Sequence, residues 1–204
     1  MANMDRNATY RRLAILGLVL CLVAVALVGL AGQYVLCGGY PAWQTSGYVL
    51  PYPAGTAYAV HQGNCSLGGH HGGYLYSYDF LMPIGSPVTA ARPGRVVATL
   101  SGFTDGNQGI ENWVKIQHSD GTVAAYSHLH SVLVEIGAEV QAGDPIGLSG
   151  NSGQTGGVPH LHFHVSPCLE PSNCGTLAVT FRNTDANPNG LQADHVYAAL
   201  AFTP

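Results

Sequence analysis

Basic side chains are scarce in this chain. Of 204 residues, seven are Lys or Arg. Arg6, Arg11 and Arg12 precede residue 13, and the next is Arg92. Beyond residue 36, Arg92, Arg95, Lys115 and Arg182 stand against ten carboxylates. Nucleic acid and anionic lipid both require a basic surface, so this balance argues against either as the partner of that part. The chain also lacks Cys-x-x-Cys or any Cys-rich zinc spacing, which argues against a structural thiolate zinc site. There are no internal repeats, no heptads and no sustained amphipathic helix. Leu36 rather than a small residue precedes Cys37, which argues against lipoprotein attachment.

What is present begins with an apolar run. From Leu13 to Leu36 there is no charged residue. About 20 helical residues cross a bilayer's hydrocarbon core, whereas a signal-peptide apolar region usually has about 7–15. The length therefore favours an uncleaved anchor, although Gly29-Leu30-Ala31 offers small residues at cleavage-site spacing. The arginines before the run place residues 1–12 in the cytoplasm and the remainder outside it. The expected localisation is the cytoplasmic membrane, single-pass with an exported C-terminal domain, or secretion if the signal is cleaved. Outside the cytoplasm disulfides persist. The short loop between Cys168 and Cys174 makes that pair the first expectation, which leaves Cys37 with Cys65, while Cys21 within the run is expected to be unpaired.

The remainder reads as a β-protein. Residues 87–91, 94–100, 113–118 and 123–128 are short β-rich runs bounded by Gly, Pro, Asp or Asn. Ser119-Asp120-Gly121 is a hairpin turn signal, 101–111 a polar surface loop, and 194–200 an expected short helix. The expected organisation is a cytoplasmic tail (1–12), the transmembrane segment or signal peptide (13–36), a linker or N-terminal extension (37–60), a domain over 61–167 and a C-terminal extension (168–204).

Chemistry concentrates in Pro159-His160-Leu161-His162-Phe163-His164-Val165. Strand side chains alternate faces, so the three imidazoles share one face and Leu161, Phe163 and Val165 the other. Neutral imidazole is the commonest ligand of transition metals and a general acid or base near neutral pH. Four other patterns precede this strand. They are His70-His71-Gly72 leading to Tyr78-Asp79-Phe80, the run Ala91-Arg92-Pro93-Gly94, the segment Tyr126-Ser127-His128-Leu129, and Gly143-Asp144-Pro145-Ile146-Gly147 with Gly150-Asn151-Ser152-Gly153.

This order and spacing resemble the lysostaphin-type zinc metallopeptidases, a family of bacterial peptidoglycan endopeptidases, over roughly residues 62–166. The resemblance implies an all-β fold with an antiparallel sheet and a groove walled by loops, preceded here by one transmembrane helix. It implies a zinc ion (Zn2+) on His70, Asp79 and His162 with the fourth position left to water, and catalytic roles for His160 and His128. Two neutral nitrogens and a carboxylate leave the metal a net positive charge, which suits activation of water. The match is to a variant in which Asp79 follows the His by nine positions; four positions before Asp79 stands Leu75, which cannot ligate. His71 is eight away and stays open as an alternative, with His70 favoured because His70-His71-Gly72 supplies the family's His-x-Gly. The implied partners are peptidoglycan peptides, and the membrane through the N-terminal helix. Rival readings are a non-catalytic regulator of other cell-wall hydrolases and a peptidase of exported peptides.

His164 stands where that family often has a carboxylate and is left without a role. The other candidates read as structural. His118 is expected to bond its own loop, His130 to be exposed, His61 and His195 to be structural or surface residues. Asp105, Asp120 and Asp144 read as turn residues. Arg92 and Arg95 read as surface residues, with a salt bridge or contact with substrate carboxylates as the alternative, and Tyr74, Tyr76 and Tyr126 as buried strand aromatics, with lining of a cleft as the alternative.

Overall fold

A computed structural model describes residues 10–25, 37–66 and 68–203. The chain divides into two compact units, Met1–Gly38 and Gly39–Pro204. In the first, helix α1 covers residues 10–25. Among the described residues no helix is long and apolar enough to cross a membrane. The second half of the expected 13–36 span lies outside the described residues.

The second unit is built on antiparallel strands: β1 (Ala57–Gln62), β2 (Ser77–Phe80), β3 (Pro87–Thr89), β4 (Gly94–Leu100), β5 (Asn112–Gln117), β6 (Val123–Val132), β7 (Glu139–Val140), β8 (Pro145–Ser149), β9 (Leu161–Ser166) and β10 (Val196–Ala198). The main path runs β10-β1-β2-β9-β6-β5-β4-β7, with β8 bridging β3 and β6. The β-rich runs read from the sequence fall on β3 to β6, and the histidine run falls on β9. The expected Asp120-Gly121 turn joins β5 to β6, closed by His118 N–H donating to the Thr122 carbonyl at 2.8 Å. Gly121 has φ +85°, a conformation that costs glycine nothing.

The central strand is β9, paired with β2 on one side and β6 on the other. Its alternation is strict: Leu161, Phe163 and Val165 are buried in the hydrophobic core, and the histidines occupy the opposite face. The Phe163 ring packs 5.2 Å from Tyr126 and 5.9 Å from Phe181. Beneath them lie residues from both ends of the unit, among them Leu50, Tyr52, Phe181 and Leu191.

The expected helix over 194–200 is instead strand β10. Val196–Ala198 pairs antiparallel with Ala57–Ala59, and Tyr197 turns into the core. The β1 edge offers an unfilled ladder, and its hydrogen bonds outweigh a weak local helical preference in so short a segment.

Removing the Phe163 side chain leaves a void beneath the histidine face. Phe163→Ala is expected to destabilise the unit by about 3–5 kcal/mol, read from the midpoint of denaturant unfolding. A change below about 1 kcal/mol contradicts this packing.

Candidate metal and catalytic site

The register of β2 against β9 sets Asp79 directly opposite His162. Cross-strand pairs share a face, and here His162 Nδ1 lies 2.8 Å from Asp79 Oδ1. His70 arrives from the loop between β1 and β2. Its Nδ1–H donates to the Gly63 carbonyl at 2.8 Å, which leaves a lone pair on Nε2. That Nε2 lies 3.2 Å from Asp79 Oδ1, and it is buried with no hydrogen-bond partner among the described residues. A lone pair facing a carboxylate oxygen at this separation is repulsive unless a proton or a cation enters between them.

The three donors form a group able to hold a metal ion, with their ligand atoms within 4.8 Å of one another. Two imidazoles and one carboxylate, with an orphaned ring nitrogen aimed at the shared oxygen, fit a transition metal such as zinc. Burial would push the Asp79 carboxyl up, but His162 and His70 hold it well below the usual carboxylate range. Burial likewise opposes protonation of His70, and the Asp79 carboxylate overcomes it and raises the imidazole above its ordinary value. The pocket thus favours positive charge. His71 is exposed and lies outside the group.

His160 precedes β9 and is held by a bridge to Gly150. Its Nδ1–H donates to the Val158 carbonyl at 2.8 Å, and its Nε2 reaches to 3.7 Å from Asp79 Oδ1. Burial pulls this imidazole below its ordinary value, and neighbouring His128 acts in the same direction.

His128 comes from a β-bulge. Tyr126 pairs with Val114 and Leu129 with Asn112, so β6 carries one residue more than β5 across this interval. Ser127 pairs with His162, so strict alternation would turn the next side chain toward the core. The bulge restores His128 to the imidazole face, with φ +61° at a cost of roughly 1–2 kcal/mol. Its ring lies 4.7 Å from that of His160 and 6.0 Å from that of His162. Asn112 staples the bulge, its side-chain amide donating to the carbonyls of Phe103 at 2.7 Å and Leu129 at 2.8 Å.

Glu111 ends the segment expected as a polar surface loop, and nothing in the sequence marks it for function. Its Oε2 lies 2.8 Å from His128 Nδ1, which is also 2.8 Å from the Ser152 carbonyl. Burial opposes the charge on His128, but the Glu111 carboxylate prevails and raises the imidazole above its ordinary value. No motif marks this carboxylate; the available signal is its place just before Asn112 at the head of β5.

The histidine face opens into a cleft of about 490 Å³ whose lining includes Tyr74, Trp113, Lys115, Gln154 and Glu170. The Cys168–Cys174 disulfide, as expected, closes the loop that carries Leu169 and Glu170. Lys115 Nζ donates to the Leu169 carbonyl at 2.9 Å and pairs with Glu170 at 2.7 Å, holding this loop against β5.

Residues 73–174 match the model of peptidase family M23. The chain belongs to this family. Over 95 residues it is 44% identical to the peptidoglycan DD-endopeptidase ShyA of Vibrio cholerae, a match covering 47% of this chain and 21% of ShyA. Over 97 residues it is 40% identical to lysostaphin of Staphylococcus simulans, covering 47% of this chain and 18% of lysostaphin. The match thus spans about a fifth of each of these relatives. The catalytic domain of the prophage-encoded M23 protein EnpA from Enterococcus faecalis, solved as a point mutant, superposes with a TM-score of 0.49 at 25% identity, covering 63% of this chain and 92% of that one.

The M23 unit leaves the remaining candidates outside the cluster. His118 is buried, and its ring bonds the Pro93 carbonyl at 2.8 Å rather than its own loop, because the β4–β5 pairing brings residue 93 alongside. His130 is exposed and 2.5 Å from Asp105. His61 is exposed, and the His195 ring lies tilted 5.0 Å from that of Tyr197. Tyr126 is buried as expected, accepting the Ala91 N–H at 2.8 Å. Tyr74 takes the alternative, cleft-lining place and is not buried: it is exposed, set edge-on 6.1 Å from His162 and 5.4 Å from His164, because its loop rims the cleft.

The Glu111–His128 contact has a readout in the metal-free protein. His128 is expected to titrate above the ordinary histidine range of about 6.5 in NMR, and Glu111→Gln to move that titration to lower pH. An unchanged titration in the variant contradicts the assignment.

Proposed function

We propose that this chain is a zinc-dependent endopeptidase hydrolysing peptide bonds in peptidoglycan cross-links or stem peptides. The observation that carries this reading is the convergence of His70, Nε2 outward and unpartnered, with Asp79 and His162, while His160 and His128 stand beside them. Family membership supports peptidase activity, and the name of ShyA supports a cell-wall substrate.

His70, Asp79 and His162 would hold the zinc. When bound, the ion supplies a Lewis acid that polarises the scissile carbonyl and makes water a nucleophile near neutral pH. The imidazoles divide the proton work. His160, with Nδ1–H committed to Val158 and its proton affinity lowered by burial, offers a basic Nε2 that takes the proton of the attacking water and delivers it to the leaving amine. His128, its affinity raised by Glu111, keeps a proton on Nε2 and donates it as a hydrogen bond to the oxyanion of the tetrahedral intermediate. Opposite shifts in adjacent groups suit one as base and the other as donor.

The charge-free run over 13–36 behind Arg11 and Arg12 supports export, with the M23 unit on the outer side of the cytoplasmic membrane. Protease added to intact spheroplasts should degrade the M23 unit; full protection there contradicts export.

His162→Ala and Asp79→Ala are expected to lose zinc and activity together. His160→Ala is expected to keep zinc and lose about 10²–10⁴-fold in turnover. The assay is digestion of isolated cell wall with mass analysis of the released fragments, which also identifies the bond. Intact wall after treatment with zinc-loaded protein, coupled with stimulation of a separate amidase, would assign a regulatory role instead.

A further inference from the structure

His164 is the third imidazole of the β9 row, and the reaction described above does not use it. It is 5% exposed. Its cross-strand neighbours are Ser77 on β2 and Ala125 on β6. Its two nitrogens are inequivalent. Nδ1 lies 3.1 Å from His162 Nε2, and Nε2 is buried without a hydrogen-bond partner among the described residues.

A hydrogen bond between two imidazoles needs one N–H and one lone pair. The far side of His162 decides the direction. Its Nδ1 is the atom that meets Asp79 Oδ1 at 2.8 Å, on the side to which His70 Nε2 also points. To ligate a metal there, His162 must present an unprotonated Nδ1, so its proton sits on Nε2. That N–H then meets His164 Nδ1 as an acceptor at 3.1 Å.

We propose that His164 is a positioning residue for the metal. By accepting from His162 Nε2–H it fixes the tautomer and ring orientation that turn Nδ1 toward His70 and Asp79. Ligating histidines usually donate their second N–H to a carboxylate, a carbonyl or water. Here a buried imidazole fills that place. His164 touches neither metal nor substrate in this role. The metal-free protein allows the reverse order, with His162 Nδ1–H donating to Asp79 and His164 Nδ1–H donating to His162 Nε2. Loading then moves the proton of His162 from Nδ1 to Nε2 and that of His164 from Nδ1 to Nε2, with no net proton gained or lost. The inference rests on the reading of His162 as a ligand.

Zinc affinity by chelator competition tests it in the full chain, with circular dichroism to confirm folding. His164→Asn places Oδ1 close to where Nδ1 lies and can accept the same hydrogen bond, whereas His164→Leu cannot. The Leu variant is expected to bind zinc about 10–100-fold more weakly, and the Asn variant to recover most of that loss. Equal affinity of the Leu variant and the parent, or equal losses in both variants, overturns the proposal. Should the Leu variant fail to fold, nitrogen-15 NMR of the zinc-loaded parent decides. Protons on Nε2 of both His162 and His164 support it, and a proton on His164 Nδ1 overturns it. A parent chain that binds no zinc defeats the ligand reading itself, an outcome distinct from the loss of discrimination between variants.

Discussion

The site depends on the antiparallel register of β2, β9 and β6. That register places Asp79 opposite His162 and Ser127 on its other side, fixing a carboxylate and an imidazole on one face of the sheet. The buried Asp79 carboxylate then governs its surroundings. Left without partners it would be costly, and it draws His162, His70 and, at longer range, His160 around one oxygen. A one-residue slip of β9 would send His162 and His164 into the core and Leu161, Phe163 and Val165 into the cleft. The core and the chemical face therefore specify each other.

Around that centre, small backbone devices set the direction of each ring. Carbonyl oxygens of Gly63, Val158 and Ser152 each engage the Nδ1 of a different histidine. For His70 and His160 this leaves Nε2 as the nitrogen facing Asp79. His162 differs, turning Nδ1 to the carboxylate, and its Nε2 meets another histidine. The bulge in β6 and the Asn112 staple hold His128 in a conformation that an isolated strand would avoid.

The grouping of His70 and Asp79 with His162 was legible only through the family resemblance, whereas period-2 alternation, a local property, made the shared face of His160, His162 and His164 legible. The same holds for strands β3 to β6 and for the turn at Gly121. Long-range relations were less so. β10 formed where a helix was expected, since the free edge of β1 lies more than 130 residues away in sequence. Glu111 reaches His128 through the pairing of β5 with β6, and no periodicity in the loop before it announces that contact. For Tyr74 the sequence leaves core and cleft both open, and the loop that carries it to the cleft rim decides between them.

In the proposed metal centre, Asp79 joins two histidines that present different ring nitrogens. Anomalous diffraction at the zinc edge from crystals grown with the metal tests this directly. One strong peak is expected, contacting His70 Nε2, an Asp79 carboxylate oxygen and His162 Nδ1. A peak on His71, or one that His162 meets through Nε2, would contradict it.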